Sequence, residues 1–222
     1  MNDIILYHGS RAGIDGDIQP ISRVRCDFGK GFYMGDNPMQ VKGLAVRGDF
    51  PMFYELKLKL SEIPDDKILF LNDDEWLYAV LANRKLSDDF NKLTLAKDWL
   101  KRLDEYDVVI GAIADDSMRH AIERFSEGLF TDTALRACLR TVDYGMQYVA
   151  KTEFACSKIE ILSERRFTKK DFTESEQYNR QKAKEGFVNF REISAKYNKS
   201  GLYLDEIIEN EQRMGKNKGV EH

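Results

Sequence analysis

His8 is the histidine of this chain best placed to do chemistry. It closes a short apolar run, Ile4 to Tyr7, and is followed at once by Gly9 and Ser10. An imidazole at a strand end can donate to or accept from a hydroxyl, and the glycine beside it leaves backbone amide and carbonyl open to a ligand. Tyr33 is the second such position. It stands within "DFGKGFYMG" (27–35), among Gly29, Gly31 and Gly35, where the backbone can come close to a ligand and the ring offers a flat face. Each has a plain structural alternative: His8 hydrogen-bonded at the end of its strand, Tyr33 buried as an ordinary core aromatic. The other histidines are poorer candidates, since His120 falls on the side of its helix opposite Met118, Ile122 and Phe125, and His222 is terminal.

Other constellations carry less. The glycines at 29, 31 and 35 are spaced G-x-G-x-x-x-G with Phe32 and Tyr33 inside, which fails the dinucleotide fingerprint, and no phosphate loop occurs. The paired carboxylates of "ADDSM" (114–118) read as acidic residues at the start of a helix, where the dipole favours them. Cys26, Cys138 and Cys156 are odd in number, far apart and without a CxxC pair, so they read as free thiols and not as a disulfide framework or a zinc site. No metal is expected.

The elements that would position these residues follow from periodicity. Ile4 to Tyr7 and Phe32 to Met34 are short β-prone runs. "DNPMQ" (36–40) predicts a helix to about Val46, with Asn37 as N-cap, Pro38 at the first helical position and Gln40 in the capping-box place. Residues 52–60 alternate as a strand and 68–71 form another. Trp76, Leu77, Val80 and Leu81 make one stripe of a helix over 74–83, and 107–111 reads as a strand covered on both faces. A helix capped by Ser117 follows, its stripe Met118, Ile122, Phe125 and Leu129, then a helix over 133–140 and strands at 146–150 and 158–162. Strands that do not alternate regularly with helices predict an α+β fold. Beyond Thr168 the chain is charged and helical in character, with a capping box at Thr173 and Glu176 and divisions at Gly186 and at "NKSG" (198–201). Phe187, Phe190, Ile193 and Tyr197 give that segment an apolar face, as do Leu204, Ile207 and Ile208 farther on.

With 222 residues, 42% hydrophobic and 32% charged, the chain has enough for one substantial core and is not disordered throughout. Its formal net charge of -4 provides no general attraction to nucleic acid or to an anionic membrane. The opening residues lack a basic region and a signal-length apolar stretch, and no run reaches a membrane span. A cytoplasmic location without membrane contact is the expectation.

"YHGS" near the N-terminus, "DFGKGFYMGDNPMQ", and "YDVVIGAIADD" followed by "MQYVAKTE" together resemble a prokaryotic family of formerly uncharacterised domains grouped with the ADP-ribosyltransferase superfamily. The resemblance covers roughly 3–165. It implies a split β-sheet core with helices, NAD as co-substrate without a metal, and a toxin paired with a small antitoxin protein. In the diphtheria-toxin-like branch, a His, Tyr, Glu triad on neighbouring strands surrounds NAD. His8 and Tyr33 match the first two positions; the third matches Gln147, so the negative charge of the usual glutamate is missing, and Glu153, six residues on, is a candidate to replace it, its plain alternative being a solvated charge. Leu44 stands where some members have a second ring-stacking tyrosine. The implied catalytic residues are Gln147, Tyr33 and His8. The NAD-binding residues are His8, Gly9, Ser10, Gly31 and Tyr33.

The expected organisation is an ADP-ribosyltransferase-like domain at 1–167, a helical extension at 168–214 that packs on the core or presents a partner surface, and a disordered tail at 215–222. The expected function is transfer of ADP-ribose from NAD to a macromolecular acceptor, protein or nucleic acid. The alternative is a catalytically degenerate module that binds NAD or a partner.

Overall fold

The computed structural model describes all residues except 23–25, 46–49, 85–87, 114–115, 140–142, 198 and 219–222. The side chains at 44–45, 88–89, 116–119, 139, 186–191 and 214–218 also lie outside the description. Strands β1 (Ile4–Ser10), β2 (Phe32–Gly35), β3 (Met52–Leu58), β4 (Ile68–Phe70), β5 (Val108–Ala112), β6 (Met146–Ala150) and β7 (Ile159–Arg166) form a seven-stranded sheet in the order β4-β5-β6-β2-β1-β3-β7. The β4 and β5 pair is parallel and the remaining pairs are antiparallel. The architecture is mixed α+β.

The two faces bury different cores. On one, Trp76, Leu77 and Val80 of α2 (Asp73–Arg84) meet Phe125 of α5 (Asp116–Ser126), Leu135 of α6 (Asp132–Leu139) and Val149 of β6. The Trp76 indole N–H also donates to the Ala112 carbonyl at 2.6 Å, which fixes α2 against β5. On the other, Leu6, Phe32, Met34, Tyr54 and Leu56 are covered by Ile14, Ile18, Leu60, Ile63 and the short helix α7 (Glu153–Cys156). Long helices cover the first face, and loops and single turns cover the second.

Helix α1 (Pro38–Ala45) starts where its cap predicts, with the Asn37 side-chain Oδ1 accepting from the amides of Met39 and Gln40 at 3.0 and 3.4 Å. Two helices missing from the sequence reading, α3 (Asp88–Lys92) and α4 (Thr94–Leu103), add Ala96, Trp99 and Leu103 to the first core. Helix α5 begins at Asp116, one residue before the expected cap, and ends at Ser126. Leu129 is therefore 58% exposed and Phe130 is buried in place of the expected stripe residue.

The helical extension docks onto the core. Helix α8 (Lys169–Tyr197) is started by Thr168 and Asp171, not by Thr173 and Glu176. The Thr168 hydroxyl accepts from the Asp171 amide at 3.3 Å, and the Asp171 carboxylate accepts from the Thr168 amide at 2.8 Å, a reciprocal capping box five residues upstream of the expected one. Gly186 does not divide α8, which runs through it; the break comes before α9 (Leu204–Lys218), where Gly201 takes a positive φ of 87°. Ile193 and Leu204 are buried in the first core, with Tyr197, Ile207 and Ile208 packed on it. The side chains of Phe187 and Phe190 lie outside the described residues. The extension therefore packs on the core through its described residues. The expected disordered tail at 215–222 differs too: α9 continues past Gly215 to Lys218, and the last four residues lie outside the description.

Candidate functional site

The three sequence candidates stand on adjacent strands, His8 on β1, Tyr33 on β2 and Gln147 on β6. Gly35 faces Tyr7 across one seam and Gln147 across the other, and Gln147 in turn faces Gly111 of β5. The β1 and β2 ladder registers at this one pair among the described residues, whereas β1 pairs with β3 along its whole length. Beyond Tyr7 and Gly35, the contact across the seam is a side chain: His8 Nδ1 lies 2.7 Å from the Tyr33 carbonyl oxygen. A carbonyl only accepts, so Nδ1 carries the proton and the neutral ring presents Nε2 as an acceptor.

The same register separates the side chains. Alternation along the strands puts Gly9, Tyr33 and Gln147 on the first face and His8, Phe32 and Met34 on the second. The His8 ring stacks on Phe32 with centroids 4.4 Å apart and tilts against Tyr54 at 6.1 Å, while Tyr33 packs on the first core. His8 and Tyr33 therefore meet through imidazole and main chain, not ring to ring. Burial lowers the His8 pKa, and its bond to the Tyr33 carbonyl only partly offsets this.

Tyr33 is bound into its own loop. Its hydroxyl donates to the Gly29 carbonyl at 2.7 Å and accepts from the Phe28 amide at 3.0 Å, and burial pushes the phenol pKa well above its ordinary value. Lys151, just past the end of β6, holds the same loop by donating to the Phe28 carbonyl at 2.6 Å. Burial pulls its pKa down, with Asp104 at 3.4 Å partly restoring it. Gly31 is accounted for by packing: a Cβ there would run into Val149 Cγ1 and come within 2.9 Å of the Ala150 carbonyl oxygen. The Ser10 hydroxyl donates to the Gly13 carbonyl at 2.8 Å and accepts from the Ala12 amide at 3.3 Å, which shapes the turn after β1. Gly9 lies opposite Phe53 in the β1 and β3 ladder.

Gln147 is buried. Its Nε2 donates to Asp27 Oδ2 at 3.0 Å and to the Ala112 carbonyl at 2.8 Å. Asp27 is buried in turn and paired with Arg84 of α2, whose Nε and Nη2 reach Oδ1 at 2.7 and 2.6 Å. Sequence reasoning missed both partners. Asp27 opens the glycine-rich stretch and could have been suspected there, but no spacing connects it to Arg84, which only the packing of α2 brings near. Glu153 is exposed in the first turn of α7, where Thr152 caps the helix, and is not on a continuation of β6. The Leu44 side chain lies outside the described residues.

No helix among the described residues is long and apolar enough to cross a membrane. A family model, DUF3990, described as a protein of unknown function, matches residues 4–161, from β1 into β7 and short of α8. No curated protein and no solved structure matches the chain.

Proposed function

The chain belongs to the DUF3990 family, and within it we propose that this protein is an NAD-dependent ADP-ribosyltransferase with a split-sheet core, a bacterial toxin of the cytoplasm that modifies a macromolecule and is held by a small antitoxin protein. One observation supports this most: residues matching the triad occupy three consecutive strands, with an imidazole at the seam between the first two; the His8 side chain stands on the second face and those of Tyr33 and Gln147 on the first, so NAD would have to reach both through that seam. The seam beyond Tyr7 and Gly35 is where the sheet would be split. His8 Nε2 accepts from a ribose hydroxyl, and the Gly9 backbone grips the carboxamide. Tyr33 offers a ring and a main chain but not its hydroxyl, which is already bonded.

In the reaction the bond between nicotinamide nitrogen and ribose C1′ breaks, and the bonding pair leaves with nicotinamide. The ribose passes through an oxocarbenium-like state. An acceptor nucleophile then bonds to C1′ and loses its proton to solvent or to a base. Most of the acceleration comes from holding NAD in a reactive pose and from stabilising the positive charge as it develops.

The test is to incubate the full chain with NAD and follow free nicotinamide by chromatography, with labelled NAD and lysate fractions to find the acceptor. Nicotinamide release is expected. If calorimetry shows no NAD binding and no nicotinamide is released, the reading is lost. A second reading, a degenerate module that binds NAD or a partner without turnover, is favoured by the commitment of the Gln147 amide to Asp27 and Ala112. NAD binding without nicotinamide release would identify it.

A further inference from the structure

Buried Gln147 is held by two groups that can only accept. Asp27 Oδ2 and the Ala112 carbonyl oxygen lie 3.0 and 2.8 Å from its Nε2. Turning the amide over would set a carbonyl against both acceptors, so the orientation is fixed by chemistry. Both amide hydrogens are thereby used, and Oε1 is the end that remains for a ligand. Asp27 is itself held by the two nitrogens of Arg84 on Oδ1, a fork that leaves Oδ2 facing Gln147.

We propose that Asp27, braced by Arg84, is the positioning residue for Gln147: it locks the amide so that Oε1 faces the ligand as an acceptor, and it keeps a carboxylate beside the third site position although residue 147 carries none. The ligand part of this assignment rests on the transferase reading; the locking part does not. A consequence runs against simple analogy. Introducing glutamate at 147 does not restore a working triad, because it sets a second carboxylate against Asp27 and the Ala112 carbonyl. The hub of Asp27, Gln147 and Arg84 is neutral in the natural chain, positive in Asp27→Asn and negative in Gln147→Glu. It is neutral again when both changes are made.

The experiment compares the full-length chain with Asp27→Asn, Gln147→Glu and the double variant by thermal unfolding, side-chain amide exchange, NAD calorimetry and nicotinamide release. Each single variant is expected to melt about 5–10 °C lower, as for a broken buried pair in a chain of this size, and the double variant above both. In Asp27→Asn the Gln147 side-chain amide, assigned by its absence in Gln147→Ala, exchanges faster. Asp27→Asn weakens NAD binding about tenfold, the loss of one well-placed hydrogen bond, but has no further effect in a Gln147→Ala background. Equal melting of Gln147→Glu and the natural chain, a double variant below both singles, or unchanged amide exchange in Asp27→Asn overturns the locking. NAD binding that is equal in Asp27→Asn and the natural chain overturns the ligand part and leaves the transferase reading standing. If the natural chain does not bind NAD, the transferase reading falls with the ligand part, and melting and exchange still decide the locking.

Discussion

Two buried aspartates, Asp27 and Asp171, carry similar chemistry to different ends. Asp171 receives both Nη atoms of Arg165 at 2.7 and 2.9 Å, Lys42 Nζ at 2.9 Å, and the Thr168 amide and hydroxyl at 2.8 and 2.7 Å. Those contacts, Arg165 foremost, hold its carboxyl far below the usual carboxylate range. The Phe53 ring lies beneath both cations. Lys42 also reaches Glu174 of α8 at 3.6 Å, and the cluster rivets α8 to α1, β3 and β7. Asp27 instead pairs with one arginine and one amide, and the amide has a second end. A carboxylate saturated by cations and a helix cap fixes an element; one that shares its second oxygen with an amide passes orientation on to a neighbour.

The largest way to break this contrast is to remove the riveted element. Ending the chain after Arg166 uncovers the core that Ile193 and Leu204 close, each 6–7% exposed at present, at about 1.5–3 kcal/mol apiece, and deletes Asp171 as well. Loss of cooperative unfolding by calorimetry is expected. A soluble truncated chain with an unchanged melting temperature would show that the extension is an independent unit. Asp171→Ala is the next step down. It strands two cations, and a loss of about 2–3 kcal/mol is expected in denaturant unfolding, below the full cost of a broken buried pair because Arg165 is 43% exposed. A saturated rivet predicts that NAD affinity is untouched in the folded fraction.

At the other pole, His8→Ala removes the seam contact. The expected loss of NAD affinity is about 1–3 kcal/mol by calorimetry, with a fold that survives through the β1 and β3 ladder. Unchanged affinity in the folded variant would take His8 out of the site. The pH dependence sharpens the same point. Because burial holds the His8 pKa below its ordinary value of 6.5, the folded state binds fewer protons than the unfolded one through the window between them. The stability that depends on neutral His8 is complete above pH 6.5 and is lost as pH falls through the folded-state value. Protonation of His8 in the folded state also removes the Nε2 acceptor, so NAD binding falls only at the lower end of that window, as pH drops through the folded-state value. The stability loss between pH 7 and 5 is expected to be smaller in His8→Asn.

Local signals were legible where neighbours along the chain suffice. The Asn37 cap, the Trp76 to Leu81 stripe and the unbroken apolar run of β5 all form as their residues dictate. Helix α4 likewise carries a readable spacing at Ala96, Trp99 and Leu103, the residues it buries. Thr168 and Thr173 both have an acid three residues on, so sequence alone does not fix the start of α8; the Arg165 and Lys42 cations that distinguish them meet Asp171 only in the fold. The site divides in the same manner. Residue context points to His8 and Tyr33 as candidates and resemblance adds Gln147, but the face each side chain occupies depends on register, and Arg84 reaches Asp27 only because α2 packs across β5.

The smallest effect is expected at Glu153, the acid that sequence proximity offers as a replacement for the missing charge at 147. It is exposed, it sits in the first turn of α7, and Thr152 Oγ1 already caps that turn by accepting from the Ala155 amide at 3.1 Å. Its remaining influence is attraction to the helix N-terminus, about 0.3–1 kcal/mol for an ordinary helix and toward the lower figure for a single turn. Glu153→Ala should therefore shift denaturant unfolding by less than about 0.5 kcal/mol and leave nicotinamide release at the level of the natural chain. Set beside Asp27→Asn, this is the sharpest form of the comparison: two acids near the same strand, one buried against Gln147 and one in solvent. A fall in nicotinamide release for Glu153→Ala together with none for Asp27→Asn would reverse the assignment, place the working charge on α7, and reduce the Asp27 hub to a structural brace like that of Asp171.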